Sequence, residues 1–418
     1  MRRLLLEQGR IVEAVEGELT RDGVVDGDQQ LHHLPGTLQD LDKWIVWVIR
    51  GSYIPQMATE LPPSSPLSSS SELDSISSAE DSNERHPMLY YDDGTVVLSA
   101  VTQKGSRKYF RVHRSILCSH SPVISDMFAI PPLLAEGSST RIAEEYDGVA
   151  HVQMPDSAED LISFLTMFYD PLGTAYKRFD PNTPVLVEGA LKLAMKYECD
   201  ALRRRIIENL EADWPQTLAQ WDARRAEAVI LRSEHSLQLT GKVGGRYLDD
   251  RLPEPASAIR IASDYGIPSI LPAAFYQLAL LSTNADWDAY RANPGKHLRF
   301  GARTARWRLL DKRDLMRLVH GQKLLAAYTR AIGTDIFGSR CQRAMKGCTR
   351  ARNECWKYFQ ENAPNSMDDP LDILHDCMRL DTLFNELPCS VCTSEITVMA
   401  EKKRRELWRS LPAVFNLQ

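Results

Sequence analysis

Cysteine is the residue type in this sequence with the clearest capacity for site chemistry. Six of the eight cysteines fall between Cys341 and Cys392. Cys389 and Cys392 form a Cys-x-x-Cys directly after Pro388, and Cys341 and Cys348 are separated by six residues. Thiolates paired at short spacing suit tetrahedral zinc, because each pair can clasp the ion from one loop. The candidate ligand set for a structural zinc is therefore Cys341, Cys348, Cys389 and Cys392. The first pair is wide for such a site, and Cys355 and Cys377 compete as ligands. The alternative is a helical region with scattered buried thiols, since free cysteine packs as a small hydrophobe. A redox Cys-x-x-Cys would need a thioredoxin-like βαβ setting, which the surrounding sequence lacks.

Other chemistry finds little support. Gly241-Lys242 lacks the upstream glycine of a phosphate-binding loop and is followed by Val243. There is no Gly-x-Ser-x-Gly elbow, no His-Glu-x-x-His and no dinucleotide glycine fingerprint. The expectation is a protein without catalytic activity. His113 reads as a structural histidine, with Asp92 or Asp93 as its partner.

The chain has 418 residues, 43% hydrophobic and 25% charged, with a formal charge of −6. That length accommodates about two or three globular domains, and the weak charge argues against nucleic acid or an anionic membrane surface as partner. No apolar run approaches the roughly 18 residues of a membrane span. Met1 to Leu6 has two arginines and three leucines but no extended apolar core, so it does not read as a signal peptide. An intracellular location, cytoplasmic or nuclear, is expected. Eight cysteines at this length are too sparse for a disulfide scaffold. The basic runs Arg203–Arg205 and Lys402–Arg405 read as solvated helix faces, the latter helped by a Glu401–Arg405 pair. The stretch Arg299 to Arg313 is the most basic, but its single Trp307 makes no stacking platform for nucleic acid.

The elements that must position these residues divide into four spans. Residues 1–88 read as disordered or poorly structured, dominated by the Ser/Pro-rich stretch from Leu61 to Ser82; an apolar cluster at Leu38 to Ile54 suggests a short helix. Thr95–Val101 and Tyr109–Val112 read as a β-hairpin. Ser121-Pro122 marks a helix start, with Val123, Met127 and Phe128 inward. His151–Met154 reads as a strand and Asp156 as the cap of a helix carrying Leu161, Phe164, Leu165 and Phe168 on one face. An insertion from Asp170 to Thr183 precedes a helix with a stripe of Leu186, Ala190, Leu193, Ala194 and Tyr197. Asp200 then caps a helix with Leu202, Ile206 and Leu210 inward. Ala190–Leu202 and Ala258–Ile270 echo each other (ALKLAMKYECDAL and AIRIASDYGIPSI), which two similar helix-turn-helix hairpins explain.

Phe110 to Phe128, FRVHRSILCSHSPVISDMF, resembles the BTB/POZ signature: a strand residue, Val-His-Arg, two residues, Leu, then a Ser-capped helix ending in Met-Phe. VAHVQMPDSAEDLISFLTMFY and the Leu186–Leu210 hairpin fit the same family in order and spacing. The resemblance covers roughly Asp92 to Leu210 and extends, in wider layout, to BTB-containing proteins abundant in fungi. It implies an α+β fold: a BTB/POZ domain at 89–212, a small sheet flanked by helices, followed by a mostly helical extension at 213–330 and a helical C-terminal region at 331–418. It also implies protein–protein association: homo-oligomers formed through the BTB domain, and a cullin scaffold as a candidate partner if the chain is a ubiquitin-ligase substrate adaptor. The alternative is a structural or transcription-related scaffold without a ligase connection. Ile116, Val123, Ile124 and Met127 are the expected interface residues. An exposed apolar surface on the Asp156–Phe168 helix would favour the adaptor, and a polar one the scaffold.

Overall fold

The computed structural model describes residues 84–130, 145–170, 177–341, 343, 345, 347–362, 369–384 and 388–417. The Leu38–Ile54 cluster and the Ser/Pro-rich stretch lie outside them. Residues 84–88, expected to end an unstructured leader, belong instead to strand β1, Glu84–Tyr90.

Strands β2 (Val96–Val101) and β3 (Arg107–Val112) form the expected antiparallel hairpin, and β1 adds to β3 in parallel. Two short helices follow, α1 (Arg114–His120) and α2 (Pro122–Ala129). Strands β4 (Glu145–Tyr146) and β5 (Val149–Ser157) complete the sheet in the order β1-β3-β2-β5-β4. Asp147 and Gly148, both at positive φ, make the two-residue turn between β4 and β5. Turns of that handedness match the twist of a hairpin, and Asp-Gly tolerates the left-handed conformation they demand. β2 runs parallel to β5 at the centre of the sheet. Its residues Val96 to Ala100 are all buried, so β2 reads as an unbroken apolar run rather than an alternation.

Helix α3 (Ala158–Tyr169) packs on the sheet, with Leu161, Phe164 and Leu165 buried and Phe168 half-buried. Its cap is Ser157, whose hydroxyl accepts from the Asp160 amide at 3.1 Å, and not Asp156. Asp156 instead accepts from the Tyr197 hydroxyl and from Lys196 Nζ at 2.6 Å, joining the end of β5 to the next helix. That helix, α4 (Thr183–Lys196), buries Val187, Ala190, Leu191, Leu193 and Ala194, whereas Leu186 is 66% exposed. In α5 (Asp200–Asp213), Leu202, Ile206 and Leu210 face the core as expected, but Asp200 is the first helical residue and Cys199 the uncapped boundary.

The rest is mostly helical. After α6 (Leu218–Ser236) and a small hairpin, β6 (Lys242–Val243) and β7 (Arg246–Tyr247), come α7 (Pro255–Tyr265) and α8 (Leu271–Ala279). The echoed segments thus both lie in helix pairs, α4/α5 and α7/α8. Short helices α9 (Trp287–Ala292) and α10 (Pro294–His297) lead to the long α11 (Lys312–Ile332), which ends in a π-turn, Gly333–Phe337. Helices α12 (Cys348–Asn362), α13 (Pro370–Cys377), α14 (Leu380–Leu383) and α15 (Ser390–Val414) complete the chain.

One apolar core runs from Leu89 on β1 to Phe415 after α15, and a second gathers Ile332, Ile336, Phe337, Cys355, Phe359, Ile373, Leu374, Cys377 and Ile396. Gly321 on α11 is where the Phe415 ring lies against the helix; a Cβ there would fall 2.0 Å from the ring. Arg204 and Arg205 lie exposed as expected, whereas parts of the other two basic stretches are drawn into the fold. Arg303 pairs with the buried Asp249 at 3.0 Å, and Arg306 donates to the Pro181 carbonyl at 3.0 Å. In the Lys402–Arg405 run, expected to be solvated throughout, Arg404 is 3% exposed and binds Asp222 through both terminal nitrogens. The expected Glu401–Arg405 pair is present at 3.2 Å.

Candidate metal centre

Four of the six clustered cysteines meet at one end of the second core. The Sγ atoms of Cys341, Cys348, Cys389 and Cys392 all lie within 4.8 Å of one another. Cys341 and Cys389 are 3.7 Å apart at sulfur. A tetrahedron of sulfurs around zinc, with Zn–S near 2.3 Å, has edges of about 3.8 Å; a disulfide would need about 2.05 Å. All eight cysteines carry free thiols. The two competing ligands are placed elsewhere: Cys355 and Cys377 are fully buried among Phe359, Leu374 and Ile396.

Local structure explains the convergence. Cys341 follows the π-turn that ends α11, and Gly347, at φ 91°, turns the chain into α12, whose first residue is Cys348. Cys389 is the N-cap of α15 and Cys392 lies in its first turn. Residues three apart on a helix share a face, so the Cys-x-x-Cys aims both thiols the same way. Cys348, Cys389 and Cys392 therefore stand at two helix N-termini, where unpaired amides and the helix dipole favour anions. The Cys389 amide points at Cys348 Sγ, 3.5 Å away.

The protonation of the cluster follows from crowding. The Met345 amide, with hydrogen bonds from the neighbouring thiols, draws the Cys341 thiol down to about 7 against the cost of burial. Burial raises Cys348 and pushes Cys392 up to about 12, with the Arg352 guanidinium opposing the rise at Cys392. Like charges this close cannot all ionise unaided, and a divalent cation would supply the missing charge. The donor set, its spacing and its helix termini fit zinc, whose soft thiolate sites are closed and four-coordinate. Arg352 was not singled out among the candidate residues, although its position four residues after Cys348 on the same helix is a readable signal.

The candidate interface residues are less uniform. Ile124 is 2% exposed and belongs to the core, so it is not available to a partner; Ile116, Val123 and Met127 are half-buried. Val123 and Met127 pack against the same core. His113 lies 3.3 Å from Asp93, one of the two expected partners, and contacts the Tyr169 hydroxyl at 3.2 Å. No large apolar residue of α3 is exposed. An open hollow lined by Asp311, Lys312, Arg313, Met316, Arg317 and His320 sits beside Asn416, at the far end of α15 from the cysteines, about 37 Å along that helix. No helix among the described residues is long and apolar enough to cross a membrane. Comparison with protein-family models, curated proteins and solved structures finds no match to this chain.

Proposed function

We propose that this chain is a non-enzymatic protein-interaction protein, with a BTB/POZ-like region for partner binding and a C-terminal region locked by a structural zinc. The observation that carries the interaction reading is the order of elements from β2 to α5. A hairpin, two short helices, a strand parallel to the first strand of that hairpin, and three helices follow in the sequence the resemblance implies. Supporting the zinc is the gathering of four thiols from segments up to 51 residues apart within one ion's reach.

Between the two interaction readings, the lack of a fully exposed large apolar residue on α3 favours a scaffold over a cullin adaptor, for which an exposed apolar docking area there is expected. The discriminating experiment is a pull-down of full-length chain against a BTB-binding cullin scaffold, with Ile116→Asp as control and light scattering for self-association. A folded monomer that binds no cullin would overturn BTB-type association altogether. Dimers without cullin binding support the scaffold, and saturable binding lost in Ile116→Asp restores the adaptor. For the metal, protein purified without chelator is expected to carry about one zinc per chain. Metal-free protein with the same thermal stability removes the zinc.

A further inference from the structure

Four thiolates around a divalent ion leave a net charge of −2, buried beside an apolar core. Burying an unbalanced charge is costly, so such a centre needs a nearby cation or several donors. Arg352 is placed to answer it. Cys348 and Arg352 are four residues apart on α12, one helical turn, and so lie on one face. The side chain is 1% exposed.

Two of its three nitrogens are engaged. Nε donates to the Phe337 carbonyl at 3.2 Å, and Nη2 donates to the Ile336 carbonyl and to Ser339 Oγ. These groups close the π-turn that leads into Cys341. Nη1 is buried and has no hydrogen-bond partner. Among the described residues, the carboxylate that approaches it is Glu395 on α15, 3.9 Å away. The guanidinium also stands beside Cys392, on the first turn of the same helix. A cap for the π-turn carbonyls would need only Nε and Nη2. The third arm, buried without a hydrogen bond and only loosely paired with Glu395, marks a second role.

We infer that Arg352 is the charge-balancing, positioning residue of the cysteine centre, fixing the approach to Cys341 with two arms and offsetting the thiolate charge with its guanidinium. This rests on the zinc reading. Arginine suits the task because it stays charged when buried and its planar fork serves several acceptors at once. Groups that support a metal's ligands without touching the ion change affinity by about 10–100-fold when removed.

The test is zinc affinity of the full chain, measured by competition with a chromophoric chelator, with cobalt(II) as spectroscopic probe. Arg352→Gln keeps donors for the carbonyls but loses the charge; Arg352→Lys keeps the charge. The expected result is about 10–100-fold weaker zinc binding for Arg352→Gln, recovery to within a few-fold in Arg352→Lys, and weakened sulfur-to-cobalt absorption in the Gln variant only. Equal affinity of folded Arg352→Gln and wild type, or equal loss in both variants, overturns the role and leaves the zinc reading standing. Wild type that takes up neither zinc nor cobalt sinks the zinc reading itself. Should Arg352→Gln fail to fold, Glu395→Gln decides. Removing that negative charge should tighten zinc a few-fold, and unchanged or weaker binding overturns the inference.

Discussion

Asp222→Ala should cost far more stability than Arg404→Met, although the two residues are partners in one ion pair. Arg404 lies on α15 with 3% of its side chain exposed, while Asp222 on α6 is 36% exposed. The guanidinium donates to both Asp222 oxygens, one at 2.8 Å, and Nε donates to the Leu371 carbonyl at 3.1 Å. In Asp222→Ala the guanidinium stays buried with that single carbonyl, and leaving a buried charge unpaired costs about 3–5 kcal/mol. In Arg404→Met the remaining carboxylate is open to water and the methionine fills the space of the arginine stem. What is lost there is hydrogen bonding, about 1–2 kcal/mol. The double variant should lie near Arg404→Met, because it holds no stranded charge. Urea unfolding followed by far-UV circular dichroism, at fixed metal occupancy, measures all three, and holding the metal constant matters because bound ligand shifts apparent stability. Arg404→Met costing as much as Asp222→Ala would refute the assignment of the arginine as the desolvated partner.

Other perturbations follow from single contacts. Ser121→Ala should destabilise by about 2 kcal/mol, since Ser121 Oγ accepts from the Ile124 amide at 3.0 Å and donates to the Tyr197 carbonyl at 2.5 Å; a loss under half that in chemical unfolding would count against it. Burial, aided by Arg225 and Arg404, holds His375 down at about 4, so the unfolded chain takes up a proton first as pH falls from about 6.5. His375 therefore contributes stability above pH 6.5 that is lost as pH drops toward 4. Asp213 and Asp369, raised to about 6 by burial, run the other way, gaining stability as pH falls from 6 toward 4. His375→Gln should thus lose less stability than wild type between pH 6.5 and 4, and identical pH profiles would reject the assignment.

Much of the α+β region was legible because its signals are local. Ser121-Pro122 starts a helix through its own hydroxyl and missing amide, and Leu161, Phe164 and Leu165 repeat at helical spacing whatever surrounds them. The Cys389-x-x-Cys392 pair likewise needs only one helical turn to align its thiols. Errors fell where two local choices are nearly equivalent or where a partner decides. Asp156 and Ser157 are both good caps, and the Tyr197 hydroxyl and Lys196 claim the first. Leu186 and Val187 sit on adjoining helix faces, and the packing of α4 on α3 and α7 selects which is buried. Strand β1 carries polar residues and Pro87, and is a strand because β3 offers it an edge. The buried Arg404 looks like its exposed neighbours in KKRR, and only the approach of α6 turns it inward. What the sequence determined alone was the hairpin, the helices up to about residue 210, the helix pair around Ala258–Ile270 and two thiol pairs. The clustering of cysteines also marked Cys341, Cys348, Cys389 and Cys392 as one candidate ligand set, but that these four meet and that Cys355 and Cys377 do not depends on where α11 ends and how α12 and α15 pack. Such contacts between distant segments have no local spacing to reveal them.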